Sequence, residues 1–140
     1  MVKTVYVAGK WRNKDVIKQR MDELEAMGFK VTHDWTTYES DKNNSRQDMA
    51  DKDIQGVTTA DMYVGILDDP SYPYRGSFTE LGAALATQRL RPEYRIYVIC
   101  PFHKNPPSTR NCTTNCFFHA SGITHLTSWD ELLNELKTSQ

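Results

Sequence analysis

The fold is decided by the stretch Met62-Tyr63-Val64-Gly65-Ile66-Leu67 and by the segment that follows it to residue 90. The six residues are mostly apolar and β-forming, which is typical of a strand buried on both faces, and Asp68-Asp69-Pro70 ends it. Beyond a proline-rich loop, residues 77–90 carry small and apolar side chains at helical spacing, and Ser77-x-x-Glu80 has the pattern of a capping box. The stretch therefore predicts a buried strand followed by a helix.

The same alternation of strands and helices extends in both directions along the chain. Strands are predicted at residues 2–8, 29–33, 62–67, 95–100 and 123–126, helices at 13–27, 47–57, 77–90 and 128–137, and long polar loops at 34–46 and 101–121. Ser128-x-x-Glu131 predicts a second capping box. Strands that alternate with helices form parallel sheets with right-handed crossovers. We therefore expect one domain, residues 1–140, with a doubly wound, flavodoxin-like α/β fold: a five-stranded parallel sheet with helices on both faces.

Charge and cysteine content limit the partners. Seventeen Lys and Arg residues against eighteen Asp and Glu residues give a net charge of -1, which removes a bulk electrostatic attraction to nucleic acids or anionic membranes. No apolar run approaches the roughly 20 residues that span a bilayer, and the N-terminus does not resemble a signal peptide. Three cysteines are an odd number, which favours reduced thiols. We expect a cytoplasmic protein whose partner is a small molecule, with no nucleic-acid or membrane partner.

The loop after the first strand argues against two kinds of doubly wound domain. Ligands bind to such folds outside the carboxyl ends of the strands. The segment Gly9-Lys10-Trp11-Arg12-Asn13 holds one glycine and so lacks the G-x-G-x-x-G pattern of dinucleotide-binding domains. Ala8-Gly9 offers no carboxylate for magnesium, which disfavours a phosphoacceptor domain.

The expected binding edge is rich in carboxylates: Asp53, Asp68, Asp69 and Glu80, together with the phenol of Tyr6. This set suits cleavage of an N-glycosidic bond, because one carboxylate can attack or stabilise an oxocarbenium-like centre while a second carboxyl group manages the proton of the leaving base. Glu80 in the first turn of a helix would meet the positive end of the dipole and stay ionised. The alternative is that Glu80 only completes the capping box with Ser77.

Several segments together resemble the nucleoside 2-deoxyribosyltransferase family. They are Val5-Tyr6-Val7-Ala8-Gly9, Asp53 followed by Ala60-Asp61, and Arg75-Gly76-Ser77-Phe78-Thr79-Glu80-Leu81-Gly82-Ala83-Ala84. The superfamily includes hydrolases that remove the base from nucleoside 5'-monophosphates. The resemblance extends over residues 2–136 and implies a single domain of this family that needs no cofactor.

The resemblance implies a role for three side chains. Glu80 matches the nucleophile that forms a covalent deoxyribosyl-enzyme intermediate, Tyr6 matches the tyrosine that positions it, and Asp53 matches the aspartate that handles the base. Asp61 is expected to be structural. A further family aspartate lies six residues before the glutamate, where this chain has Tyr74, so Asp69 is the expected substitute.

Other substrate contacts are expected from the resemblance and from the loops. Family members are homo-oligomers in which a C-terminal loop reaches the neighbour's site, so we expect a homodimer or higher homo-oligomer in which Asn111, Asn115 and Ser108 contribute. The residues expected around substrate or its phosphate are Gly9, Lys10, Arg12, Arg75, Gly76 and Ser77. Lys10 and Arg12 could equally be solvated surface charges. Trp11, Trp35, Tyr72 and Tyr74 could stack on a base or simply pack against the core.

A zinc site is the competing interpretation of the second loop. Cys100-x2-His103 and Cys112-x3-Cys116-x2-His119 supply five potential ligands, but their spacing fits no common zinc pattern. Unpaired thiols with incidental histidines explain it more simply, so we expect no metal. His33 and His125 are expected to pack at strand ends.

The sequence therefore predicts an enzyme that cleaves the N-glycosidic bond of a 2'-deoxynucleoside through a Glu80 ester and transfers the sugar to another nucleobase. If water intercepts the ester, the same residues give a nucleoside 5'-monophosphate hydrolase. A nucleotide sensor without chemistry is the third possibility. The sequence does not distinguish purine from pyrimidine or deoxyribose from ribose.

Overall fold

The computed structural model of the chain describes residues 3–38 and 44–138. The strands are β1 (Thr4–Ala8), β2 (Lys30–Val31), β3 (Met62–Ile66), β4 (Arg95–Ile99) and β5 (Ile123–Leu126), and the helices are α1 (Lys14–Ala26), α2 (Arg46–Thr59), α3 (Arg75–Leu90) and α4 (Trp129–Thr138). All strands run parallel in the order β2-β1-β3-β4-β5. The predicted doubly wound α/β fold is confirmed. Residue 2 of the first predicted strand, residues 39–43 of the first predicted loop, and residues 1, 139 and 140 of the predicted domain lie outside the described residues.

The core lies on both faces of the central strands. Every residue of β3 is buried, and the apolar side chains of β1 are completely inaccessible to solvent. Helix α1 covers one face with Ile17, Met21 and Leu24, and the Trp129 indole of α4 donates a 2.7 Å hydrogen bond to Glu23 of α1. Helices α2 and α3 pack against each other over the other face. This burial explains the near-continuous apolar runs of the central strands.

Strand β2 is shorter than predicted. It contains only Lys30 and Val31 instead of residues 29–33, and it pairs with β1 alone at the edge of the sheet. After Thr32 the chain leaves the sheet and forms a 3-10 helix at Trp35–Thr37, whose first turn is capped by Asp34. The turn directs the residues after β2 across the carboxyl end of the sheet.

The start of α3 also differs from the prediction. The helix begins at Arg75 rather than at residue 77, so the Ser77-x-x-Glu80 capping box is wrong. Tyr74 precedes the helix in a left-handed conformation with φ 51°, which is uncommon for a non-glycine residue. Its hydroxyl donates to Asp68 Oδ1 and accepts from the Asp69 amide, and these contacts hold the backbone in place.

The second loop is more regular than its sequence indicates. It contains two 3-10 helices, Cys112–Thr114 and Cys116–His119, and the side chains of Asn111 and Asn115 cap them. The three cysteines are free thiols, in agreement with the prediction. Among residues 3–38 and 44–138, none of the helices combines the length and apolar character that crossing a membrane requires.

Candidate active site

A cavity of about 340 Å³ opens at the carboxyl ends of β1 and β3, where the strand order reverses. Its lining comprises Gly9, Lys10, Trp11, Trp35, Tyr38, Met49, Asp53, Tyr72, Tyr74, Gly76, Ser77 and Glu80. Most of the residues predicted from the sequence therefore meet around one crevice. Helix α2 supplies Met49 and Asp53, and α3 supplies the last three residues of the set.

Glu80 is anchored by Tyr6, which is buried in the core beneath it. The Tyr6 hydroxyl donates a 2.7 Å hydrogen bond to Glu80 Oε2. The Tyr6 ring is fully buried, lies parallel to Tyr63 at 6.3 Å, and has room only because α2 carries a glycine at position 56. Burial, followed by the nearby carboxylates Glu80 and Asp53, raises the pKa of Tyr6 far above its ordinary range. The phenol is therefore a permanent hydrogen-bond donor that fixes one oxygen of Glu80.

The carboxyl groups of Glu80 and Asp53 are close enough to influence each other's pKa. Burial raises the pKa of Glu80 to about 8, the Tyr6 hydrogen bond opposes this rise, and the neighbouring Asp53 adds to it. Burial also raises the pKa of Asp53. The expectation that the helix N-terminus keeps Glu80 ionised is wrong, because the residue lies in the second turn of α3 and is desolvated. With a pKa of about 8, Glu80 carries a proton at neutral pH.

Asp53 is itself held by residues that the sequence analysis did not select. The Tyr38 hydroxyl lies 2.5 Å from Asp53 Oδ1, 3.1 Å from the Met49 carbonyl oxygen and 2.6 Å from His33 Nε2. His33 was expected to pack at a strand end rather than to act as a ligand, and the structure places it just after β2, where its ring also belongs to this polar network. The sequence feature that could have identified Tyr38 and His33 is the polar segment directly after β2, because the topology brings this segment to the cavity.

Aromatic rings form two walls of the cavity. Trp35 is 6% exposed and donates from Nε1 to the Val7 carbonyl at 2.7 Å, and Trp11 lies 6.2 Å from it with 38% of its surface exposed. The rings of Tyr72 and Tyr74, which also line the cavity, meet edge to face at 4.8 Å. Trp35 and Tyr74 serve the core and the cavity lining at once, so packing and contact with a base do not exclude each other here.

The predicted phosphate-binding residues separate into two groups. Gly9, Lys10, Gly76 and Ser77 line the cavity, whereas Arg12 and Arg75 are exposed and do not belong to the described lining. Lys10 is not a solvated surface charge, because its Nζ forms a 2.7 Å ion pair with Asp69.

Asp69, the expected substitute for the family aspartate, is engaged at the cavity edge. Hydrogen bonds from Lys10 and Ser71 lower its pKa to about 2, so the group is an anion at neutral pH. It does not belong to the described lining of the cavity. Tyr74, which replaces the family aspartate itself, does line the cavity, although its hydroxyl is committed to Asp68 and Asp69.

Asn111 and Asn115 line a second cavity of about 370 Å³, which shares Tyr72 with the first. The Asn111 side chain accepts from the Thr113 amide at 2.8 Å and donates to the Thr109 carbonyl oxygen at 2.7 Å. Both residues thus organise their own loop. Their contribution to a neighbour's site in a homo-oligomer stays a prediction.

The residues considered for zinc do not gather into a ligand set. Cys100 Sγ and Cys112 Sγ lie 3.8 Å apart and are buried, whereas Cys116 is exposed. The His103 ring stacks near His125 instead. Within residues 3–38 and 44–138, no group of three His, Cys, Asp or Glu side chains is arranged to hold a metal ion.

Comparisons with known proteins give matches among solved structures. No protein-family model matches the chain, and no curated protein sequence matches it. The structure of a CMP N-glycosidase from Clostridium botulinum aligns with a TM-score of 0.61 and 17% identity, over 99% of this chain and 100% of that one. A 2-deoxyribosyltransferase from Leishmania mexicana aligns with a TM-score of 0.60 and 17% identity, over 95% of each chain. The resemblance to the nucleoside 2-deoxyribosyltransferase family and its N-hydrolase relatives is therefore confirmed at the level of the fold.

Proposed function

We propose that the protein is an enzyme that cleaves the N-glycosidic bond of a nucleoside or nucleotide, with Glu80 as the nucleophile. The observation that carries the proposal is the Tyr6–Glu80 hydrogen bond of 2.7 Å beside Asp53, in a cavity at the switch point of the sheet. The solved structures of similar fold include a glycosidase and a deoxyribosyltransferase, which supports the same class of reaction.

The proton on Glu80 can supply both groups that the reaction needs. Moving it from Glu80 to Asp53 yields a carboxylate nucleophile and a carboxylic acid without exchange with solvent. A Glu80 oxygen then forms an ester bond to C1', the C1'–N bond breaks with its electron pair going to the base, and Asp53 gives that base its proton. Tyr6 holds the second Glu80 oxygen throughout.

The ester is then attacked at C1' by an acceptor, which approaches from the face of the sugar that the base has left. For a transferase, which is our leading proposal, a second nucleobase gives its proton to Asp53, forms the new C1'–N bond and releases Glu80. Two successive displacements at C1' retain the configuration. Free base and an exchanged nucleoside would both appear.

Hydrolysis of a nucleoside 5'-monophosphate is the second candidate. It is favoured by Lys10, Gly76 and Ser77, which line the cavity near the start of α3, where backbone amides and the helix dipole attract an anion. In this case water loses its proton to Asp53 and displaces Glu80 from C1', and the base is released without exchange.

The decisive experiment is a panel of nucleosides and 5'-monophosphates incubated with and without a free second base, followed by chromatography. Free base alone indicates a hydrolase, and a new nucleoside indicates a transferase.

Glu80→Ala should lose at least about 10³-fold in turnover, since it removes the attacking oxygen, while remaining folded. Glu135→Ala, which removes an exposed glutamate of α4, is the matched control. Base release that persists in Glu80→Ala would refute the mechanism, and ligands that raise Tm without losing their base would indicate a sensor instead.

A further inference from the structure

Three side chains form a line of short hydrogen bonds that ends at Asp53. His33 Nε2 lies 2.6 Å from the Tyr38 hydroxyl oxygen, and this oxygen lies 2.5 Å from Asp53 Oδ1. His33 follows β2, Tyr38 follows the 3-10 helix at Trp35–Thr37, and Asp53 belongs to α2. The line therefore connects the segment after the edge strand with a carboxyl group in the cavity.

The direction of these hydrogen bonds follows from the number of protons. A tyrosine hydroxyl has one proton, and its acceptors here are Asp53 Oδ1 at 2.5 Å and the more distant Met49 carbonyl at 3.1 Å. Burial and Asp53 raise the pKa of Tyr38, so this proton is retained. Because the hydroxyl is committed to donating to Asp53, His33 Nε2 must donate to the Tyr38 oxygen. Burial lowers the pKa of His33, so the ring is neutral, with its proton on Nε2.

We propose that Tyr38 and His33 are positioning residues for Asp53, which together fix Oδ1 as a hydrogen-bond acceptor and thereby direct the transferable proton to Oδ2. The inference rests on the proposed function and refines it. A freely rotating carboxylic acid could carry its proton on either oxygen. In this arrangement Oδ1 accepts the Tyr38 hydrogen bond, so only Oδ2 of Asp53 carries the proton that is transferred. The effect extends to both steps in which Asp53 exchanges a proton: departure of the base, and reaction of the acceptor with the ester.

The surroundings of Asp53 determine the expected pH effect. Tyr38 and His33 face it from the segment after β2, Glu80 from α3 and Tyr6 from β1. Lys52 and Asp34 lie within electrostatic range of His33. The Tyr38 hydrogen bond lowers the pKa of Asp53, so removing the hydroxyl raises that pKa and moves the alkaline limb of the rate profile to higher pH.

The test compares two leaving groups in four variants. One substrate is the nucleoside or 5'-monophosphate that the panel identifies, and the other is the 4-nitrophenyl glycoside of the same sugar, whose nitrophenolate departs without a proton. In single-turnover assays of leaving-group release, Tyr38→Phe should lower the rate on the first substrate by about 10²-fold, lower the rate on the second by at least about tenfold less, and move the alkaline limb to higher pH. His33→Gln, which keeps an N–H donor, should retain most of the rate that His33→Ala loses. The matched control is Tyr97→Phe, which removes a tyrosine hydroxyl on β4 near Arg95.

The outcomes separate this inference from the proposed function. Equal losses on both substrates with an unmoved alkaline limb would show that Tyr38 is merely structural and would overturn the inference. If the wild type does not accept the nitrophenyl glycoside, the alkaline limb alone decides. If Tyr38→Phe melts well below Tyr97→Phe, the comparison of His33→Gln with His33→Ala decides. Undiminished turnover by Glu80→Gln would instead refute the proposed function, and the inference would be withdrawn with it.

Discussion

At the scale of single residues, Glu80 is a partly buried carboxyl group that the fold shields from much of the bulk water. Its hydrogen bond from Tyr6 favours the anion, yet desolvation outweighs this contact and raises the pKa to about 8. Such a group opposes folding at alkaline pH, because the folded state must then bury a charge that the unfolded chain leaves in water. The proposed function and the stability of the fold therefore make opposite demands on this side chain.

This conflict predicts that Glu80→Gln stabilises the protein, and more so at high pH. The folded pKa of about 8 lies above the ordinary value of 4.5, so between these pH values the folded state binds a proton that the unfolded chain does not. That contribution is fully present below the ordinary pKa and is lost as pH rises through 8. Thermal unfolding at pH 5 and pH 9 should give a larger Tm gain over the wild type at pH 9.

The matched control for this measurement is Glu135→Gln, on the exposed surface of α4. Its Tm difference from the wild type should be small at both pH values. A Glu80→Gln variant whose advantage is the same at pH 5 and pH 9 would argue against a raised pKa of Glu80.

At the scale of elements, the close approach of α2 to β1 brings Asp53 to Glu80. Gly56 permits this contact: a Cβ atom there would lie 2.9 Å from His33 Cβ and 3.0 Å from the Tyr6 ring. Both neighbours belong to the polar network of the cavity. The spacing of two structural elements thus depends on one missing side chain.

Gly56→Ala should therefore cost about 1–3 kcal/mol of the free energy of unfolding and lower turnover, because α2 must shift away from Tyr6. The matched control is Gly82→Ala in α3, where the added Cβ meets no atom within 4 Å. That variant should gain about 0.5–1 kcal/mol, as expected for alanine in a helix interior. Denaturant unfolding of the two variants checks both signs, and equal effects would contradict this account of Gly56.

The elements also show how far the sequence could predict the structure. The order of strands and helices was predictable, because the apolar runs of β1 and β3 and the helical spacing in α1 and α3 are local properties. The start of α3 was not, since Tyr74 adopts its left-handed conformation through contacts of its hydroxyl with Asp68 and Asp69. Tyr38 escaped selection for the same reason: its partner Asp53 lies fifteen residues away in sequence.

At the scale of the whole molecule, the reversal of strand order between β1 and β3 creates the crevice in which the candidate residues meet. Binding there stabilises the folded state by mass action. Lys10 lines this crevice, and its ammonium group would have to turn from its ion pair with Asp69 toward a phosphate bound there. The ligand's own charge should therefore decide how strongly it stabilises the fold.

Lys10→Met tests this expectation. The Tm increase caused by a nucleoside 5'-monophosphate should fall by about half or more, while the increase caused by the matching nucleoside should change little, because only the phosphate interacts with the lost charge. Lys30→Met, on the exposed edge strand, is the control and should leave both increases intact. Equal losses for the two ligands would indicate that Lys10 acts by shaping the cavity instead.

Tyr72 borders both the crevice with Glu80 and the larger hollow beside Asn111. One residue thus contacts two cavities of comparable volume, so a change in its side chain alters both. Tyr72→Ala, which leaves only a methyl group, is expected to join the two cavities into a single longer cavity.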